Sequence, residues 1–273
     1  MKISVLQVRS IDDETVNLAK LDTMIRTAAA EGSKLVVLPE VAYYRGRSSE
    51  ATPDHLPGRA TKFICHLAKE LGIWIHGGSF AESIPGSNKC FNTAFLSSPE
   101  GNIASVYRKI HLFNVDLPDL RLMESDTFDP GRELITAPVI DADGANSFTI
   151  GMLVCYDLRF PAVWSALRDR GANVFALPVN FTWKTGEAHW EVLLRARAIE
   201  TQSYVAASAQ WGEHPHKNFS AYGRAMIVDP WGVILAQAGT EGDIVISADI
   251  SLEYLESVRR TMPVHGHKRN DIY

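Results

Sequence analysis

The sequence has few cysteines and no long apolar run. Its 273 residues contain only three cysteines, Cys65, Cys90 and Cys155, and such an odd, widely spaced set excludes a disulfide framework. No apolar stretch approaches the roughly 20 residues that a membrane-spanning helix requires. The opening segment "MKISVLQV" alternates like a strand and lacks the apolar core of a signal peptide. We therefore expect free thiols in a reducing cytoplasm, and no membrane partner.

The sequence also lacks a strong excess of either charge. Its 27 basic and 32 acidic residues leave a net charge of -5, with the two signs scattered along the chain. A nucleic-acid surface requires a clustered basic face, so we expect no nucleic-acid partner. No linker, low-complexity segment or repeat divides the chain, whose length is near the upper limit for one core. The sequence therefore predicts a single domain over residues 1–273.

Short apolar runs alternate with segments of helical periodicity along the chain. Helical spacing of apolar residues predicts helices over 15–30, 60–71 and 187–202, with a further helix between Pro161 and Gly171. Apolar and β-branched runs predict strands over 3–8, 34–40, 73–80, 91–98, 103–109, 147–154, 173–180 and 203–210. The segments 223–237 and 242–250 are also strand-rich, with a hairpin signal at "DPWG". This alternation is typical of a layered α/β domain with mixed sheets.

Three polar residues stand where predicted strands end. Glu40 follows "LVVLP", Lys109 follows "IASVYR" and Cys155 follows "IGMLV". Sites in open α/β sheets lie beyond the carboxyl ends of strands, so these side chains are candidates for one site. A thiol becomes nucleophilic when a base takes its proton and a cation stabilises the thiolate. Singly, each residue is more typical of a solvated strand end or a buried core thiol, but the combination favours a nucleophilic site.

Four motifs that contain these residues resemble, in order, those of the nitrilase superfamily of carbon–nitrogen hydrolases. They are "LPE" at 38–40, "YRKIHLF" at 107–113, "MES" at 123–125 and "CYDLRFP" at 155–161. The resemblance implies that Glu40 is the general base, Lys109 the cation that stabilises an oxyanion, and Cys155 the nucleophile. It adds Glu124 as a carboxylate that positions the lysine or the substrate, and the backbone N–H of Tyr156 as an oxyanion donor.

The same resemblance implies a fold and an assembly. The expected fold is an αββα four-layer sandwich of the nitrilase type with mixed sheets. Such domains form homodimers or higher oligomers through the layer that carries the helix after the cysteine. The ending "RRTMPVHGHKRNDIY" at 259–273 resembles the family's C-terminal arm, which reaches across the dimer. No cofactor is expected.

The residues after the nucleophile point to an amide rather than a nitrile. True nitrilases carry Cys-Trp-Glu, whereas Tyr156 and Asp157 follow Cys155 here. The segments 185–202, 228–232 and 267–273 most resemble the deaminated glutathione amidases, and the omega-amidases are close neighbours. The resemblance implies a small amide substrate that carries a carboxylate.

Arg159, Phe181 and Thr185 are the residues expected to bind that substrate. A guanidinium binds a carboxylate through two parallel hydrogen bonds, although an ion pair with a buried acid is an equally good interpretation of Arg159. The branch usually reads Tyr-Gly-His-Ser where this chain has "YGRA" at 222–225. Arg224 is therefore either a second anion contact or a solvent-facing side chain.

Three other interpretations stay open. His111, two residues after Lys109, allows a Cys–His hydrolase, although a packing or orienting role fits it better. The pieces "HPH" at 214–216 and "HGH" at 265–267 raise a metal site, but no acidic or cysteine partner accompanies them at usable spacing, so no metal is expected. A non-catalytic binding protein with the same fold is the third.

Overall fold

The computed structural model of the chain describes residues 1–46, 53–117, 120–140, 144, 147–269 and 271–272. The helices are α1 (Glu14–Ala30), α2 (Arg59–Leu71), α3 (Pro161–Asp169), α4 (Trp183–Thr201) and α5 (Leu252–Thr261). The strands are β1 (Lys2–Val8), β2 (Leu35–Val37), β3 (Trp74–Ser83), β4 (Cys90–Ser97), β5 (Ile103–Arg108), β6 (Asn114–Leu117), β7 (Leu120–Met123), β8 (Thr136–Ile140), β9 (Ser147–Met152), β10 (Val174–Val179), β11 (Tyr204–Glu213), β12 (Ser220–Tyr222), β13 (Met226–Val228), β14 (Ile234–Gln237) and β15 (Ile244–Asp249).

The ends of the first two helices follow from local chemistry. The Asp13 carboxylate accepts the backbone N–H groups of Thr15 and Val16, which satisfies two donors at the start of α1. Helix α2 ends at Gly72, whose φ of 63° lies in the left-handed region that glycine enters at no steric cost. Both helices bury most of the apolar face that the sequence predicts, although Val16 at the start of α1 is exposed.

Thirteen of the described strands form one large mixed sheet, and β6 and β7 form a separate two-stranded sheet. The large sheet follows the order β5-β4-β3-β2-β1-β11-β10-β9-β8, with β12 to β15 attached to the side of this path. The central pairs β1–β2, β1–β11 and β10–β11 are parallel, whereas the outer pairs β4–β5 and β8–β9 are antiparallel. Strand β10 also contacts β2 and β3, with which it does not pair. The two halves of the sheet therefore pack face to face.

Two apolar clusters separate the layers. One cluster joins residues of both sheet halves, such as Val37 and Phe175, and extends to Trp164 of α3 and Trp190 of α4. The other packs α1 and α2 against the outer face of β1, β2 and β3. Helices thus cover both outer faces of two facing sheet layers, which confirms the predicted mixed α/β sandwich.

The structure differs from the sequence prediction in several elements. Helix α4 begins at Trp183 rather than at Glu187, because Thr182 provides the extended cap residue and its carbonyl accepts the Gly186 N–H at 2.8 Å. Helix α5 and the strands β6, β7 and β8 were not predicted. The β6–β7 hairpin is formed by strands of four residues, too short for a clear alternation.

The predicted C-terminal arm begins inside α5. Lys268 in this arm contacts Asp169 at the end of α3, with 3.1 Å between Nζ and Oδ2. Residues 270 and 273 lie outside the described residues. The reach of the arm across a homodimer and the single domain over 1–273 stay predictions. No helix within the described ranges is long and apolar enough to cross a membrane.

Candidate active site

Four of the predicted site residues line one cavity of about 1050 Å³. Glu40 lies three residues beyond β2, and Lys109 directly follows β5. Glu124 begins a short 3-10 helix after β7, and Cys155 begins another after β9. The ends of four separate strands therefore bring a thiol, two carboxylates and an ammonium group to the same place.

The Lys109 ammonium holds the two carboxylates together. Its Nζ lies 2.9 Å from Oε1 of Glu40 and 2.9 Å from Oε1 of Glu124. Lys109 is only 1% exposed and Glu40 only 4% exposed, so solvent screens these contacts little. Oε2 of Glu124 also lies 2.9 Å from the Lys109 Nζ, so the three donors of the ammonium group face three carboxylate oxygens.

Asn92 is a member of this cluster that the sequence analysis did not identify. Its Nδ2 donates to Oε1 of Glu40 at 2.9 Å and lies 3.4 Å from Oε1 of Glu124. Its Oδ1 is buried and has no hydrogen-bond partner among the described residues. Asn92 thus connects both carboxylates and leaves an acceptor beside them.

The loop after Lys109 holds Glu124 in place. The backbone N–H of Phe113 donates to its Oε2 at 2.6 Å, while Oε1 contacts the lysine. Without its resemblance to the family motif, Glu124 would have been taken for a surface glutamate in a loop. The structure instead makes it a half-buried partner of Lys109.

Cys155 lies on a strained turn. Its φ is 47°, in the left-handed region that side chains other than glycine, asparagine and aspartate rarely adopt. Val41, directly after Glu40, has a φ of 51°, which is rarer still for a β-branched residue. Strained backbone of this kind clusters at functional sites, where the surrounding packing enforces it.

The thiol of Cys155 is hydrogen-bonded to the Glu40 carboxylate and to the backbone N–H of Asn180. Burial and the neighbouring Glu40 carboxylate raise its pKa well above the ordinary value, although Lys109 and the Asn180 N–H act in the opposite direction. Burial opposes the charge of Lys109, but Glu124, Glu40 and Cys155 raise the lysine pKa well above its ordinary value. The resting site therefore contains a neutral thiol, a charged ammonium and a carboxylate that accepts the S–H.

Tyr156 is the second residue of the 3-10 helix that starts at Cys155. Backbone N–H groups in the first turn of a helix have no acceptor within it. The role of the Tyr156 N–H as an oxyanion donor stays a prediction. Its ring packs edge-on against Phe113 at 5.0 Å and against Phe160 at 5.2 Å.

The Asp157 carboxylate accepts hydrogen bonds that hold the turn at Cys155 in place. One carboxylate oxygen accepts the Tyr107 hydroxyl at 2.7 Å and the Val154 N–H at 2.9 Å. The other accepts the His111 N–H at 3.2 Å and lies 2.8 Å from His111 Nδ1. The His111 ring stacks on Phe160 with centroids 3.6 Å apart. His111 thus orients the turn that carries Cys155, as its preferred interpretation predicted.

We expect Asp157→Ala to lower the free energy of unfolding by about 3 kcal/mol or more, since it leaves buried donors of Tyr107, His111 and Val154 without their acceptor. Urea unfolding followed by circular dichroism measures the change. The control is Asp129→Ala, which removes an exposed carboxylate 3.4 Å from Lys89 and should change stability by less than about 1 kcal/mol. Similar losses in both variants would contradict the structural role of Asp157.

Of the predicted substrate-binding residues, Arg159 and Phe181 contact each other, and none of the three is among the described residues that line the cavity. The Arg159 guanidinium lies over the Phe181 ring at 5.3 Å and 3.3 Å from His189 Nδ1. Thr185 donates to the Thr182 carbonyl at 3.2 Å within the first turn of α4. Their role in substrate binding stays a prediction.

The remaining candidates make other contacts. Nη2 of Arg224 donates to Oε1 of Gln237 at 2.9 Å. His216 pairs with Asp12 at 2.6 Å, and His265 lies 3.4 Å from Asp169. No group of three or more histidine, cysteine, aspartate or glutamate side chains within the described ranges could hold a metal ion.

Known proteins are similar to this chain in both sequence and fold. The family profile described as carbon–nitrogen hydrolase matches residues 2–260. The human deaminated glutathione amidase is 40% identical over 278 residues, covering 99% of this chain and 83% of that protein. The human omega-amidase NIT2 is 36% identical over 271 residues, covering 98% of this chain and 94% of that protein.

Longer relatives match as well. The Drosophila melanogaster nitrilase and fragile histidine triad fusion protein NitFhit is 40% identical over 99% of this chain, which spans 58% of that protein's length. The crystal structure of the Caenorhabditis elegans NitFhit protein superposes with a TM-score of 0.89 at 36% identity, covering 100% of this chain and 66% of that chain. The chain therefore belongs to the carbon–nitrogen hydrolase family, and it is an amidase-type enzyme of the nitrilase superfamily.

Proposed function

We propose that the enzyme hydrolyses an amide of a small substrate that carries a carboxylate, with deaminated glutathione as the first candidate. The observation that carries the proposal is the contact of the Cys155 thiol with Glu40, while Lys109 lies 2.9 Å from the same carboxylate in a shared cavity. The similarity to deaminated glutathione amidases over 99% of the chain supports the choice of substrate.

The first half of the proposed reaction forms a thioester. Glu40 takes the thiol proton as the sulfur attacks the carbonyl carbon of the amide. The carbonyl oxygen becomes an oxyanion, which the Lys109 ammonium and the backbone N–H of Tyr156 stabilise. Glu40 then gives its proton to the nitrogen, the C–N bond breaks, and the amine leaves.

The second half releases the acid. Glu40 takes a proton from a water molecule, whose oxygen attacks the thioester carbonyl while the same two donors stabilise the oxyanion. The C–S bond breaks, and the sulfur recovers the proton from Glu40. Glu124 keeps Lys109 in position in both halves, because both of its carboxylate oxygens lie 2.9 Å from the ammonium nitrogen.

A substrate panel tests this proposal. Wild-type enzyme is incubated with deaminated glutathione, 2-oxoglutaramate and a simple nitrile, and cysteinylglycine, ammonia and 2-oxoglutarate are followed. We expect both amides to be hydrolysed and the nitrile to remain, with kcat/KM at least about tenfold higher for deaminated glutathione, since a bound leaving group adds binding energy in the transition state. The reverse order would make the enzyme an omega-amidase, and turnover of the nitrile alone would contradict an amidase.

A further inference from the structure

A second group of charged side chains lines the cavity that contains Cys155. Arg45 lies five residues after Glu40, and Lys217 lies between β11 and β12. Neither residue belongs to the catalytic cluster described above, and neither is explained by the proposed chemistry.

Arg45 is buried, with only 2% of its surface exposed. Its Nη1 and Nη2 donate to the backbone carbonyls of Trp211 at 3.2 Å and Gly212 at 3.4 Å. Its buried Nε has no hydrogen-bond partner within the described ranges. A guanidinium has five N–H donors, so three of them have no hydrogen-bond partner among the described residues.

The surroundings of Arg45 add positive charge. Burial and the nearby Arg9 lower the Arg45 pKa to about 9. Burial lowers the Lys217 pKa as well, and Arg45 adds to this while Glu124 opposes it. His214 adds no further positive charge, because burial and these cations lower its pKa to about 3, which leaves it neutral at pH 7.

No carboxylate forms an ion pair with Arg45 or Lys217 in the part of the chain that the structure describes, although Glu124 is close enough for its charge to act on Lys217. Buried cations without a counter-charge are unfavourable, and an anionic ligand removes that cost. Glu124 also contacts Lys109, so this charged wall lies within the length of a small substrate from the reacting atoms.

We propose that Arg45 and Lys217 form a binding subsite for a carboxylate of the amide substrate. The inference rests on the proposed amidase function and names the substrate class more closely. The carboxylate belongs either to the acyl part or to the amine part, and both present the same planar anion to the guanidinium fork. The Arg45–Lys217 subsite is distinct from Arg159, which lies outside the cavity wall in the described part of the chain.

The test compares matched substrates in the variant Lys217→Gln, with Lys62→Gln on the exposed face of α2 as control. One pair is 2-oxoglutaramate and 4-oxopentanamide, which differ in the carboxylate of the acyl part. The other pair is deaminated glutathione and its C-terminal carboxamide, which differ in the carboxylate of the amine part. In the wild type, kcat/KM should differ between the two members of a pair when their carboxylate binds. The pair whose difference in kcat/KM disappears in Lys217→Gln identifies which carboxylate binds.

We expect Lys217→Gln to lower kcat/KM by about 10- to 100-fold, mainly through KM, for the member of one pair that carries the bound carboxylate, and to change the member of that pair that lacks it by less than about threefold. Arg45→Gln should do the same wherever thermal unfolding shows that it remains folded. Equal losses within both pairs would overturn the proposal, as would no loss for either 2-oxoglutaramate or deaminated glutathione.

If the wild-type enzyme hydrolyses none of these amides, a binding measurement tests the Arg45–Lys217 subsite instead. Glutarate should slow alkylation of Cys155 by iodoacetamide, followed by peptide mass mapping, in the wild type and in Lys62→Gln. In Lys217→Gln, the glutarate concentration that gives half-maximal protection of Cys155 should rise about tenfold. Lys217-dependent protection without any turnover would contradict the proposed function alone, whereas equal protection in all three proteins would overturn the subsite.

Discussion

Cys155→Ala should lower the turnover of every amide that the wild-type enzyme hydrolyses by at least about 10⁴-fold, the usual cost of removing a covalent nucleophile. Without the sulfur no thioester forms, and Glu40 and Lys109 can only assist direct attack by water. The substitution deletes one buried atom and leaves the Lys109 contacts with Glu40 and Glu124 intact, so the fold should persist. Initial rates measure the loss of turnover, and thermal unfolding of the same preparation shows whether the fold persists.

Cys65→Ala provides the matched control. Cys65 is a buried thiol of α2 that packs in the cluster between the helices and the sheet, and burial raises its pKa as it does for Cys155. Its removal should leave the rate per folded molecule within about twofold, because it touches none of the reacting groups. Turnover that survives Cys155→Ala, or that disappears in Cys65→Ala, would contradict the assignment of the nucleophile.

Lys109→Met should have the second largest effect and should act on both rate and stability. The loss of an oxyanion donor lowers kcat by about 10²- to 10³-fold. The variant also leaves the Glu40 and Glu124 carboxylates close to each other without their shared cation. Breaking a buried ion pair on one side costs about 3–5 kcal/mol, so we expect a clear fall in the midpoint of urea unfolding.

Two experiments separate the effect of Lys109→Met on the rate from its effect on stability. Rates are measured below the unfolding transition and divided by the folded fraction, so that the remaining loss reports on catalysis. Glu40→Gln relieves the repulsion between the carboxylates, and the double variant Glu40→Gln/Lys109→Met should therefore be less destabilised than the sum of the single variants. A strictly additive loss of stability would show that the ammonium does not hold the carboxylates.

His111→Ala separates this mechanism from the Cys–His interpretation. His111 contacts Asp157 and Phe160, so its removal loosens the turn under Cys155 but removes no reacting group. We expect the variant to keep more activity than Lys109→Met when rates are compared per folded molecule. Abolished activity in His111→Ala together with near-normal activity in Lys109→Met would favour a Cys–His hydrolase.

The order of apolar strands and their polar ends was enough to predict the reactive group. Glu40, Lys109 and Cys155 each follow an uninterrupted apolar run, and a sheet with several parallel strands brings such ends together. Glu124 has no local signal of this kind, because its strand is short and the residue begins a surface turn. Only the resemblance to a family motif identified it.

The parts of the site that sequence alone did not reveal depend on distant contacts. Asn92 lies inside β4, where alternation makes a polar residue look like a solvent-facing position, yet the fold turns it toward Glu40. Asp157 acts through backbone and side-chain donors of residues about fifty positions away. Arg45 and Lys217 come from separate loops, and nothing in either local sequence indicates the other.

If both amides form one thioester on Cys155, water and hydroxylamine compete for the same intermediate. Deaminated glutathione and 2-oxoglutaramate share one acyl group and differ only in the amine that leaves. Each is hydrolysed in the presence of hydroxylamine, and the ratio of hydroxamate to acid is measured. A common thioester predicts the same ratio from both amides and no hydroxamate with Cys155→Ala, whereas ratios that differ between the two amides would contradict it.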